Sequence, residues 1–161
     1  MDTSTNKMKH TKFKTVEFNN KKRVFILTYT SGLVVECPYS SLGIKNKIVE
    51  AGPDKEVGNH SFFFVLENGE KDYVPYDQPL HISNNPDYMR QELMFDLTMK
   101  IKQIIETSGV SKRELARSLK TSVTQINRLL DQTNYTKDLS RLIQIASLLN
   151  YDFDWELKKA A

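Results

Sequence analysis

Apolar positions along this chain follow two periods, and the change falls near residue 85. Before it they occur in short β-branched and aromatic runs separated by turn residues. Lys12–Phe18 alternates loosely, and Arg23–Thr30 is rich in the residue types that suit a pleated surface. Ser31-Gly32 is a two-residue turn signal. Leu33–Cys37 is the second apolar run of a hairpin, ended by Pro38. Tyr39–Ala51 carries Leu42, Ile44, Ile48 and Val49 in a pattern that fits a short helix or a loop, and Gly52-Pro53-Asp54 reads as a turn. Ser61–Glu67, Asn68-Gly69 and Lys71–Val74 spell a second hairpin. Pro75 to Pro86 reads as a linker or edge. Residues 12–84 are therefore expected to form a small, mainly antiparallel β domain. Two hairpins alone would be marginal, so one sheet covered by a short helix or a partner is expected. Phe62-Phe63-Phe64 points to both faces of its strand, which favours a two-layer core over a partner surface.

From Asn85 the period becomes helical. Asn85 is a cap, Pro86 suits the first helical position, and Asp87 complements the positive helix end. Leu93, Leu97, Ile101, Ile104 and Ile105 recur at three- and four-residue spacing until Gly109 stops the helix. After a loop at Asp131–Tyr135, Thr136 or Asp138 caps a last helix. Its apolar residues are Leu139, Leu142, Ile143, Ala146, Leu148 and Leu149, and Asn150 closes it. In Tyr151–Leu157 apolar residues alternate with Asp152, Asp154 and Glu156, which predicts a half-buried strand. A lone strand needs a neighbour, either in the N-terminal sheet or in a second subunit. The fold class expected is α+β, with residues 85–161 forming a helical domain that ends in a strand.

Between these helices lies the segment with the most chemical content, Ser111–Leu130. Ser111 and Glu114 have capping-box spacing. Leu115, Ala116 and Leu119 share a face that excludes Lys112, Arg113 and Arg117, and Ala116 lets another helix cross closely. Lys120-Thr121 is a turn, and Ser122 caps a second short helix. Ile126, Leu129 and Leu130 point inward. Val123, Thr124, Gln125, Asn127 and Arg128 are left outside, where Thr, Gln, Asn and Arg can bond base edges or phosphates.

Leu115, Ala116, Leu119, Ser122, Ile126 and Arg128 match the pattern of lambda-repressor-like (XRE-type) helix-turn-helix regulators, which the stretch from about Leu93 to about Tyr151 resembles. Lys120 stands where that family usually has Gly, so a more open turn is expected. The resemblance implies that helix 122–130 enters the major groove with Ser122 as its cap. Val123, Thr124, Gln125, Asn127 and Arg128 would then face the bases, and Arg113, Arg117 and Lys120 would hold phosphates. A weaker likeness, to antitoxins of the HicB/HigA kind, rests on Leu139-x-x-Leu142 and Leu148-Leu149-Asn150 ahead of the terminal strand. It implies a β domain that neutralises a toxin while the helical part autoregulates a promoter.

Charge sharpens this picture. The 161 residues carry a formal net charge of +3. Ser111–Leu130 alone holds Lys112, Arg113, Arg117, Lys120 and Arg128 against Glu114, a net of +4, so the excess is concentrated on the candidate DNA element. Residues 1–11 are expected to be a disordered basic tail, and the basic run Lys7, Lys9, Lys12 and Lys14 reads as a solubilising feature rather than an arm on the DNA backbone. One cysteine, Cys37, excludes an internal disulfide and a thiolate zinc site. His10, His60 and His81 are scattered, and no phosphate loop or nucleophile elbow occurs, so no metal, cofactor or enzymatic activity is expected. A cytoplasmic, homodimeric partner of double-stranded DNA is the expectation.

Overall fold

A computed structural model of the chain describes residues 9–160. The tail expected over 1–11 lies outside the described residues as far as residue 8. Its end is anchored: His10 Nδ1 is 2.6 Å from Ser31 Oγ, and the Thr11 carbonyl is 2.7 Å from His60 Nδ1. The chain divides into two units, Met8–Met89 and Arg90–Ala161. Among the described residues no helix is long and apolar enough to cross a membrane.

The first unit holds two three-stranded antiparallel sheets, where a single sheet was expected. β1 (Phe13–Asn19), β2 (Val24–Tyr29) and β3 (Val34–Pro38) lie in that order, with a bulge in β1 between Phe13 and Thr15. β4 (Ile48–Pro53), β5 (Ser61–Leu66) and β6 (Lys71–Pro75) form the other. Both expected hairpins are present, β2–β3 and β5–β6. The extra strand is β4, which corrects the turn expected at Gly52-Pro53-Asp54. Its residues pair with β5, Gly52 opposite Phe63 and Pro53 opposite Phe62. β4 closes one edge of its sheet, where a proline's missing N–H is tolerated. Gly52 lets the Phe63 ring lie close, since a Cβ there would come within 3.3 Å of it. The real turn follows at Asp54, whose side chain accepts from the Glu56 N–H.

The inner faces of the two sheets meet on aromatic rings. Phe62 stands 5.3 Å from Phe13 and 5.1 Å from Phe25, edge to face in both cases, a preferred ring geometry. Phe62 and Phe64 are buried, and the ring of Phe63 lies under the Lys71 ammonium at 4.4 Å. The Phe run thus serves both faces, and the two-layer core is observed. Two polar side chains in this unit bond across it, whereas the buried Asn59 Oδ1 has no partner among the described residues. Tyr29 donates to the Tyr76 carbonyl at 2.7 Å, and Asn20 joins Tyr39 and both backbone groups of Ile48. Burial pushes the Cys37 thiol up to about 11, so it is packing, not a nucleophile.

Where a linker was expected, a short helix α1 (Asp77–Ile82) buries Leu80. Asn84 ends it in the left-handed region, and Asn85 begins α2 (Pro86–Ser108) by accepting from the Tyr88 N–H. The second unit continues with α3 (Lys112–Ser118), α4 (Val123–Leu129) and α5 (Leu139–Leu148). Their shared core is Ile101, Leu115, Ala116, Ile126, Leu129, Leu130, Leu142 and Ile145. Asp138, not Thr136, caps α5, and Asn150 closes it in a left-handed conformation. The chain is thus α+β, but residues 151–160 form no strand. They are exposed and carry no ladder, because a strand acquires its ladder only from a neighbour and this segment is given none.

Candidate nucleic-acid interface

The helix pair α3–α4 is built from its caps inward. The Ser111 hydroxyl accepts from the Glu114 N–H at 3.1 Å and the Ser122 hydroxyl from the Gln125 N–H at 3.1 Å. Each serine satisfies one of the donors a helix start leaves free. Between the helices, Lys120 adopts φ +53°. The Lys120 N–H bonds the Arg117 carbonyl at 3.2 Å and the Thr121 N–H bonds the Ala116 carbonyl at 2.9 Å. That is the complete bond set of a Schellman turn. The expected opening of the turn does not occur. Lysine accepts the left-handed position and its strain, and the turn stays closed because both carbonyls find partners.

With the turn closed, the apolar sides of both helices go inward. Leu115, Ala116, Ile126, Leu129 and Leu130 are buried and Leu119 is half-buried. All nine expected site residues lie outside: Ser122, Val123, Thr124, Gln125, Asn127, Arg128, Arg113, Arg117 and Lys120 are exposed. Thr124 and Arg128 share the side of α4 opposite Ile126 and Leu130, with Gln125 flanking them. Asn127 departs from the group. Its Oδ1 accepts from the Lys112 ammonium at 2.8 Å, and both residues line a 300 Å³ cleft with Lys102, Ile105, Glu106, Leu130, Asp131 and Gln132. The structure ties Asn127 to α3, whereas Thr124, Gln125 and Arg128 keep their side chains toward solvent.

Two cations that the sequence did not single out hold this arrangement from α5 and the loop before it. The Arg141 guanidinium donates to the Leu119 carbonyl at 3.1 Å, on the turn itself. The Lys137 ammonium donates to the Leu129 carbonyl at 3.1 Å, the Asp131 carbonyl at 2.8 Å and Thr98 Oγ1 at 2.5 Å. A cation there also complements the negative end of α4. Burial pulls the Lys137 ammonium down to about 8, against the opposing pull of Asp131. The loop is fixed further by Asp131, which accepts from both the hydroxyl and the N–H of Thr133 and is held below the ordinary carboxylate range by them. The only early sign of Lys137 and Arg141 was their closeness to the last helix's start, a pattern with no distinguishing spacing.

A family model described as a Cro/C1-type HTH DNA-binding domain matches residues 100–154. The match spans the end of α2, the whole of α3, α4 and α5, and the first residues after them, and it agrees with a lambda-repressor-like helix-turn-helix at the C-terminus. No curated protein and no solved structure matches the chain.

Proposed function

We propose that this chain is a sequence-specific DNA-binding transcriptional regulator that places α4 in the major groove. The observation that carries this reading is the exposed polar side of α4, with Thr124, Gln125 and Arg128 turned outward on a helix fixed at both ends. Arg113, Arg117 and Lys120 flank it as phosphate ligands, and Val123 offers a methyl surface to thymine. Asn127 acts with Lys112 as a unit at the edge of the contact. A homodimer would address two half-sites about 34 Å apart. A DNA partner fits residence in the cytoplasm and a role that is not enzymatic.

Selection of bound sequences from random DNA at fixed salt tests this. A defined motif is expected, and joint replacement of Thr124, Gln125, Asn127 and Arg128 by Ala is expected to abolish it. Unaltered binding by that variant would sink the proposal. A second reading keeps the same DNA site and adds a protein partner on the β unit, as in antitoxins. It is favoured by exposed Tyr73 beside Phe63, with Lys71 over both rings. Loss of a co-purifying protein from Tyr73→Ala would support it, and purification with no partner from native cells would count against it.

A further inference from the structure

The two ends of α4 are held in different ways. Ser122 caps the first turn from within the helix's own sequence. The last turn takes side-chain partners from the loop that follows. The Asn134 amide donates to the Arg128 carbonyl at 3.2 Å, and the Lys137 ammonium donates to the Leu129 carbonyl at 3.1 Å. Of these two donors only Lys137 carries a charge, and it sits where the helix dipole is negative.

The same ammonium reaches the Asp131 carbonyl at 2.8 Å and Thr98 Oγ1 at 2.5 Å. Its three protons therefore have three acceptors, one on α4, one on the loop and one on α2. Thr98 is fully buried, and its own hydroxyl is fixed by donating to the Met94 carbonyl at 2.6 Å. All three acceptors are uncharged. The Asp131 carboxylate is turned to Thr133 instead. Two other bonds fasten the loop to α2, Lys102 to Gln132 Oε1 at 3.0 Å and Arg90 to the Tyr135 carbonyl. Neither of them touches α4.

We propose that the Lys137 ammonium is a positioning group for α4, a cation fixed to α2 that sets the end of the groove-facing helix and so the affinity for a specific sequence. This rests on the DNA-binding reading and names what prepares that site. An uncharged side chain of the same length would leave the Leu129 and Asp131 carbonyls without this donor, and the last turn would open more often. Arg128, on the outward side of α4, immediately precedes Leu129 and would move with it. Arg113, Arg117 and Lys120 lie before α4 and would keep their places. The loss should therefore fall on sequence-specific binding and spare the sequence-independent part.

Lys137→Met keeps the side chain's length and removes its charge and donors. The measurements belong below the value of about 8 to which burial brings this ammonium. Without DNA, the Leu130 and Asp131 amides, which bond back to Ile126 and Arg128, should exchange about tenfold faster. The Leu115 and Ile145 amides should keep their protection. Affinity for the selected sequence should fall about tenfold, as for a helix end that is competent in about one chain in ten. Affinity for random DNA and the salt slope should hold.

Lys137→Cys separates charge from packing. Alkylation with 2-bromoethylamine rebuilds an ammonium of nearly the same reach, and alkylation with iodoacetamide leaves a neutral amide. Buried Cys37, its thiol pushed up to about 11, does not compete. The first product should recover the specific affinity and the second should not. In the unaltered chain the Lys137 ammonium protons should exchange slowly enough to give their own NMR signal. Rapid exchange of those protons, unchanged protection or specific affinity in Lys137→Met, or recovery by both alkylated forms would each overturn the proposal. So would collapse of protection at Leu115 and Ile145 as well, which would make Lys137 a general support of the core. An equal loss on random DNA, with the salt slope flattened by about 0.9, would make it a phosphate contact instead. The exchange measurements need no DNA, so failure of the tie and failure of the DNA-binding reading are told apart.

Discussion

Lys120 concentrates the conflict between local conformation and contact. Its φ of +53° belongs to the left-handed region, which costs a side-chain-bearing residue roughly 1–2 kcal/mol. Both bonds of the turn nevertheless form, so the rest of the helix pair holds the strained residue in place. Glycine would relieve that strain, but an unfolded glycine also has more freedom to lose, which offsets part of the gain. Lys120→Gly should therefore stabilise the second unit by about 0.5–1 kcal/mol, read as a shift in denaturant midpoint at constant slope. The same change removes one of the cations proposed to hold phosphates. DNA binding should weaken for all sequences, and the salt dependence should flatten by about 0.9 per subunit in its logarithmic slope. Stability and affinity moving in opposite directions would identify Lys120 as a residue retained for charge. If both rise, its role at the backbone is refuted.

At the scale of elements, the helices stand on their first turns. Asp138 caps α5 by accepting from the hydroxyl and the N–H of Ser140, and these bonds hold its carboxyl below the ordinary value of 3.8. The folded chain thus binds this proton less tightly than the unfolded one. The contribution is complete above pH 3.8 and is lost as pH falls through and below it. Asp138→Asn keeps a capping acceptor but removes the titration. Acid unfolding followed on the second unit should show a shallower pH dependence, with the part due to Asp131 left in place. An unchanged profile would exclude the cap as its source. Caps of this kind are local, and for that reason they were legible in the sequence. Ser111, Ser122 and Asn85 were placed correctly because a hydroxyl or amide acts within three residues. The hairpin at Asn68-Gly69 was legible for the same reason. β4 was hidden, because Gly52-Pro53 is a turn signal unless one knows that Phe63 must lie against the glycine. Asn127 on Lys112, Arg141 on Leu119 and Lys137 on Leu129 and Thr98 were hidden too, since each joins residues that only the folded helices bring together.

For the whole molecule the consequence lies in its two separate cores. One is aromatic and gathers around Phe13, Phe25, Phe62 and Phe64; the other is aliphatic and gathers around Ile101, Ile126, Leu142 and Ile145. No buried residue is common to both. Packing energy falls off within a few ångströms, so damage to one core should stay in it unless α2, which begins in the first unit and continues in the second, transmits it. Phe62 is fully buried and touches Phe13 and Phe25, so Phe62→Ala should cost the first unit about 3–5 kcal/mol. Hydrogen exchange can follow each unit by its own amides. Protection should collapse at Phe25, Leu27 and Phe64 while Leu129, Leu142 and Ile145 keep theirs, and binding to DNA should persist. Equal loss of protection in both sets would mean that α2 couples the cores, so that a disturbance of the β unit would reach α4.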